Sequence, residues 1–244
     1  FLGMTTGKTN TLYLDWEDDK DTLDERIKMV CRGWGLPERP RIKYRHGRGP
    51  LTQQVNQIAR FVTDNQIGFA VVDSVGLAAG SAGERGTYEE VALKFFDALR
   101  QIGPITWLCI DHVSDQGRQN ERTTNKAYGS IYKMNEARMA WEVRKDQIAG
   151  ARTSQLGLYN TKNNHGPIQI SFGVKLDFTE EGTLGLTRER VGDSEVLSRA
   201  LSDPDKILNA LRYGTQSKAE LMAEIKKNGE AVRVCTDRLV ARGL

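Results

Sequence analysis

TLYLDWED at residues 11–18, GFAVVDS at 68–74 and WLCIDHV at 107–113 decide how this chain folds. Each is a short apolar run that ends in acidic or imidazole side chains. Strands of a parallel sheet have this form, because their flanks are covered and only their carboxyl ends open toward a ligand. Three such ends lining one phosphate-transfer site point to a nucleotide-hydrolysing core.

Outward from these runs, residues 11 to 113 alternate apolar stretches with amphipathic ones, which is βαβα order. After the first strand, Thr22 and Glu25 have the spacing of a capping box, for a helix carrying Ile27, Val30, Cys31 and Trp34. A short strand is expected at 41–45. Pro50 then stands near the start of a helix with Val55, Ile58, Ala59 and Val62 on one face, leading into the buried run at 67–75. Thr87 and Glu90 form a second capping box, opening a helix with Val91, Phe95, Phe96, Leu99 and Ile102 at core spacing. Gly103 and Pro104 stop it before a strand at 105–111.

From about residue 139 the pattern changes to MAWEV, SQLGLYN, IQISFGV and LGLTRE, separated by Gly, Asn and Pro. These pieces read as consecutive antiparallel strands extending the sheet. The fold class is therefore α/β, a mostly parallel sheet flanked by helices with antiparallel edge strands, over residues 1–192. A polar linker is expected at 193–203. Residues 204–244 follow as three short helices with a shared core of Ile207, Leu208, Leu211, Leu221, Ile225, Val232, Leu239 and Val240. They have the layout of a helix-turn-helix whose last helix, with Arg233, takes the reading position, or of a plain three-helix bundle.

The chain has 244 residues, enough for one α/β domain and a small appendage, and a formal charge of +3. That charge is too small to establish nucleic-acid binding, so distribution matters more. PRIKYRHGRGP at 40–50 has four Lys/Arg and no acid, and 115–138 carries five Lys/Arg against three acids. Either faces phosphate or forms a solvated basic rim. Cys31, Cys109 and Cys235 are widely spaced, which argues against a disulfide framework and a zinc site. No run of about 18 apolar residues occurs and no signal-peptide layout, so the chain reads as soluble and cytoplasmic, with no membrane partner.

GMTTGKT at 3–9 looks like a phosphate-binding loop but is rejected. Three residues separate its glycines where four are needed, and its GKT must open a helix whose amides hold phosphate, whereas Thr11 starts a strand. Asp73 closes FAVVD, where a carboxylate can hold magnesium through water; it can equally cap the next loop, and Asp111 competes with it. Glu17 has the reach to orient and deprotonate an attacking water, or is one solvated acid among Asp15, Asp18 and Asp19. His112 either hydrogen-bonds a γ-phosphate oxygen or is structural. No GxGxxG turn or substrate-specific nucleophile favours a reductase or a kinase.

In order along residues 1–178, FLG, TLYLDWEDD, FAVVDSVG, ITWLCIDHVSD, YGSIYKMNEAR and YNTKNNHGPIQISF resemble the hexameric-helicase branch of the RecA-like ATPases, of RepA and DnaB type, with the related phage and plasmid AAA ATPases. The resemblance implies ATP and Mg2+ as cofactors, with Glu17 the catalytic glutamate, Asp73 the Walker B aspartate on Mg2+, and His112 the sensor. Ser74, Lys162 and Arg138 join Asp73 around the nucleotide. The loop between Val113 and Tyr128 matches the segment that faces single-stranded DNA, with Arg118, Arg122 and Lys126 on its backbone. The implied assembly is a homo-oligomer, a hexamer in the ring members of the family.

NTKNNHGP matches the segment that reaches a neighbouring subunit's nucleotide with a lysine and an arginine. Lys162 is that lysine, and Asn164 stands where the arginine is expected. Hydrolysis is then slow, or another arginine, with Arg138 the candidate, replaces it. In that family FLG follows the phosphate-binding loop and its helix, so that loop is expected upstream of Phe1, and residues 1–244 alone are expected to hold ATP weakly. A β wing is expected beyond RGL. Translocation on single-stranded DNA leads the functional reading, with loading or recombination mediation on the same fold beside it. A non-hydrolysing DNA-binding scaffold is the rival.

Overall fold

Along the first apolar run Leu12 and Leu14 alternate with Tyr13 and Asp15, and a period of two sends the two pairs to opposite faces of a strand. In the computed structural model, which describes residues 2–36, 40, 42–80, 87–112 and 131–243, this run is strand β1, Asn10–Asp15. It pairs in parallel with β2, Ile42–His46, on one side and β3, Ile67–Asp73, on the other. Strand β4, Thr106–Ile110, completes a four-stranded sheet of order β2-β1-β3-β4.

The leucine face is the core. Leu12, Leu14, Ala70 and Val72 are fully buried against Ile58 and Val62 of α2, Val55–Asp64, Val75 and Ala78 of α3, Val75–Ala79, and Phe95, Ala98, Leu99 and Ile102 of α4, Tyr88–Ile102. Those helical positions recur every three or four residues, the spacing that puts them on one face. The Thr87–Glu90 capping box is present, both reciprocal bonds included. Thr87→Ala removes the side-chain cap and is expected to cost about 1 kcal/mol, read as a fall of about 2–4 °C in the thermal midpoint.

Helix α1, Lys20–Gly33, begins earlier than the Thr22 box predicts. Asp19 is its cap, its carboxylate accepting the Thr22 N–H at 2.8 Å, and an anion is the better partner for a helix amino terminus. Helix α5, Ile131–Glu136, closes the first of two compact units, which holds the described residues from 3 to 137; the second holds 138–243.

In the second unit the expected antiparallel strands are β5, Met139–Asp146, β6, Thr153–Asn163, β7, Phe172–Phe178, which begins four residues later than IQISFGV predicts, and β8, Leu184–Glu189. They pair with one another in order as a four-stranded sheet of their own, instead of adding to the parallel one. Short connections explain this, since a reversing turn delivers each strand beside its predecessor. Gly150 and Gly182 take positive φ in two of them.

Residues 193–203, polar in sequence and expected as a linker, contain the one-turn helix α6, Glu195–Ser198. Leu197, Ala200 and Leu201 are buried there with Tyr159, whose hydroxyl donates to the Leu197 carbonyl at 2.7 Å. Helices α7, Asp203–Leu211, α8, Lys218–Ile225, and α9, Gly229–Ala241, share a core of Ile207, Ala210, Leu221, Ile225, Val232, Cys235 and Leu239. Leu211 and Val240, expected in that core, are exposed. Among the described residues no helix is long and apolar enough to cross a membrane.

Candidate active site at the carboxyl edge of the parallel sheet

Register places Asp15 directly opposite Asp73, on strands about 4.8 Å apart. His46 lies beside Asp15 on β2, and Ile110 beside Asp73 on β4. The pairing continues one residue further, where the Trp16 N–H donates to the Asp73 carbonyl at 2.5 Å and the Gly47 N–H to the Asp15 carbonyl at 2.7 Å. Glu17, Ser74 and His112 therefore leave the sheet at one edge.

Asp15 turns the chain there. Its carboxylate, 2% exposed, accepts the amide N–H groups of Glu17 at 3.0 Å and Asp18 at 2.9 Å on Oδ1, and the Tyr44 hydroxyl at 3.4 Å on Oδ2. A carboxylate accepting amides two and three residues on is the local turn that aspartate favours. The turn sends Glu17 back over β3. There the buried Ser74 hydroxyl donates to Glu17 Oε1, and His112 Nε2 lies 3.2 Å from the same oxygen. Ends of β1, β3 and β4 thus meet on one carboxylate. Among the described residues nothing hydrogen-bonds Oε2, which keeps an acceptor oxygen for a water.

The Ser74 hydrogen bond first, and the His112 contact second, hold the Glu17 carboxyl below the ordinary glutamate value against a smaller opposing effect of burial. It is ionised at neutral pH. A carboxylate of this kind is a weak base, suited to orienting a nucleophile more than to stripping its proton. Tyr13, on the Asp15 face of β1, donates its hydroxyl to Asp73 Oδ2 at 2.5 Å. Burial, then the bond to Asp73, raises the Tyr13 phenol, and burial pushes the Tyr44 phenol up to about 12, so both stay protonated donors. Tyr13→Phe is expected to cost about 2 kcal/mol, the worth of a hydrogen bond to a charged group, measured as a lower urea midpoint at constant slope.

Asp111, the rival of Asp73 in sequence, is occupied otherwise. Lys133 of α5 donates to both of its carboxylate oxygens, at 3.1 and 3.0 Å. A strand-end carboxylate of this kind fits Mg2+: Tyr13 donates to Oδ2 of Asp73, and among the described residues nothing hydrogen-bonds Oδ1. Among the described residues no group of three or more His, Cys, Asp or Glu is placed to hold a metal ion. A magnesium ion bound mainly by phosphate oxygens and water needs no such cage.

The structure brings Glu17, Asp73, Ser74 and His112 together, with Ser74 on Glu17. Lys162, near the end of β6, and Arg138, whose carbonyl accepts the Asn164 N–H at 2.8 Å, belong to the second unit. Arg233 stands on α9, its guanidinium paired with Glu230 at 2.6 Å and Asp237 at 3.1 Å. Arg118, Arg122 and Lys126 lie outside the described residues. Residues 7–9, the GKT, run directly into β1 with no helix between, at the amino end of the strand and about 20 Å from Asp15. Lys8 lines an open groove there with Thr6, Thr11, Gly68 and Thr106.

Sequence reasoning missed Asp15, Tyr13, Tyr44 and Lys133. The signal for the first two was alternation: Leu12 and Leu14 inward place Tyr13 and Asp15 on the face that carries Asp73.

No protein-family model matches the sequence, and no curated protein matches it. Among solved structures, a KaiC-like protein from the hyperthermophilic archaeon Pyrococcus horikoshii OT3 superposes at 14% identity and a TM-score of 0.47, over 74% of this chain and 75% of that one. The RadB recombinase superposes at 16% identity and a TM-score of 0.49, over 71% of this chain and 77% of that one. Likenesses of this size add nothing to what the chain's own geometry shows.

Proposed function

We propose that this chain is a RecA-like ATPase core that acts on DNA, of the ring-helicase type, coupling ATP hydrolysis to movement along or remodelling of single strands. The observation that carries the reading is the meeting of Glu17, Ser74 and His112 at the edge where Asp15 and Asp73 end adjacent parallel strands. Phosphoryl transfer asks a protein mainly for positioning and charge, and this cluster supplies both.

In this reading Glu17 orients the attacking water through Oε2 while Ser74 and His112 hold Oε1. Asp73, steadied by Tyr13, would hold Mg2+. The metal, when bound, neutralises charge on the phosphate oxygens. His112 is the group through which a change at the γ-phosphate would reach Glu17. Lys162 reaches a neighbouring subunit's nucleotide within a homo-oligomer, with Arg138 assisting. Arg118, Arg122 and Lys126 contact the DNA backbone, and the α7–α9 module, through Arg233, adds a second contact.

The test is fluorescence anisotropy of a labelled single-stranded oligonucleotide with and without ATP and Mg2+. Nucleotide is expected to change DNA affinity about tenfold, a usual size of coupling between two sites. An affinity that falls steeply with salt but ignores ATP, in wild type and in Glu17→Gln alike, contradicts the reading.

A further inference from the structure

We propose that Lys133 is a positioning residue for the Glu17–His112 contact, acting through its ion pair with Asp111. The proposal rests on the reading of Glu17 as the water-orienting group. Asp111 and His112 are the two residues that follow β4, so what fixes Asp111 fixes the backbone from which His112 reaches Glu17.

The pair is not an ordinary surface bridge. The Lys133 side chain is 12% exposed and that of Asp111 17%, and the ammonium bonds both carboxylate oxygens. Exposed pairs contribute little, but removing one partner of a largely buried pair leaves an uncompensated charge. Lys133 is itself held, because Glu136, one turn further along α5, is paired with Arg100 of α4. The chain segments on either side of residues 113–130 are thereby joined beside the site.

A purely structural lysine would affect stability alone, whereas the loss of this pair is read at Glu17 as well, through the two residues that follow β4.

The experiment compares wild type with Lys133→Met, Lys133→Arg, Asp111→Asn and the Lys133→Met/Asp111→Asn double variant, by amide hydrogen exchange and by ATP turnover. In Lys133→Met, exchange over residues 16–19 and 111–112 is expected to rise about tenfold, with α2 unchanged. Its kcat is expected to fall about tenfold at a KM within about twofold, the loss that follows from a misplaced group. Lys133→Arg keeps the charge and is expected to hold turnover within about threefold of wild type. Asp111→Asn removes the same pair from its other side, so it and the double variant are both expected to match Lys133→Met, and Lys133→Arg and Asp111→Asn carry the test if Lys133→Met does not fold.

Wild-type exchange at 16–19 in Lys133→Met, or separate losses from Lys133→Met and Asp111→Asn that multiply in the double variant, overturns the proposal. If wild type hydrolyses no ATP while exchange at 16–19 still rises in Lys133→Met, the positioning role stands and the ATPase reading fails.

Discussion

Glu17→Gln is expected to lower phosphate release from ATP about a hundredfold, the size of loss when the group that positions the attacking water is removed. The substitution keeps shape and an acceptor for Ser74, so the turn over β3 should survive. What it removes is the charge on Oε2. ATP affinity and KM should stay near wild type, because the loss falls on the transition state and not on nucleotide binding. Phosphate release within about twofold of wild type would remove Glu17 from the chemistry.

The same carboxylate sets the acid side of the pH profile. Its folded-state value is depressed, first by Ser74 and then by His112, so Glu17 stays ionised as pH falls to its ordinary value and loses its charge only below it. Turnover should therefore hold through mildly acid pH and decline below the ordinary glutamate value. Ser74→Ala takes away the larger cause, and the decline should move toward higher pH. An unmoved acid limb in Ser74→Ala would show that Ser74 does not govern Glu17.

Asp15→Ala should be the most damaging change outside the reacting groups, at about 3 kcal/mol of stability, since amide donors at a buried carboxylate lose their acceptor. Two of those donors belong to Glu17 and Asp18, so the turn that aims Glu17 loosens at the same time. Turnover is expected to fall about a hundredfold, as for a catalytic group displaced by about 1 Å. Asp15→Asn keeps an acceptor for the two amides and should retain most of the stability. Urea unfolding and phosphate release, measured on both variants, separate the two effects.

Much of this architecture was legible in the sequence because each parallel strand is a short apolar run with an acid at its end. FAVVD and TLYLD announce both the strand and the acid that ends it, and the Thr87–Glu90 box marks the start of α4. Glu17 and Asp73 followed from the same logic. The supporting groups did not, for physical reasons. Asp15 looks like one of four acids in DWEDD until the register shows it 2% exposed under the Glu17 turn. Tyr13 acts across to the next strand: alternation gives its face but not the partner it meets there. Lys133 pairs with a residue 22 positions earlier. The linker at 193–203 was misleading because its charged residues surround Leu197, Ala200 and Leu201, which are buried.

The central claim is that groups from three strands act as one unit on one carboxylate. A double-mutant cycle on phosphate release tests it, with Glu17→Gln, His112→Ala and the two combined. If the residues work as a unit, the combined variant should be no slower than Glu17→Gln alone, since the second substitution removes a partner of a group already lost. Two separate losses that multiply in the combined variant would contradict the account.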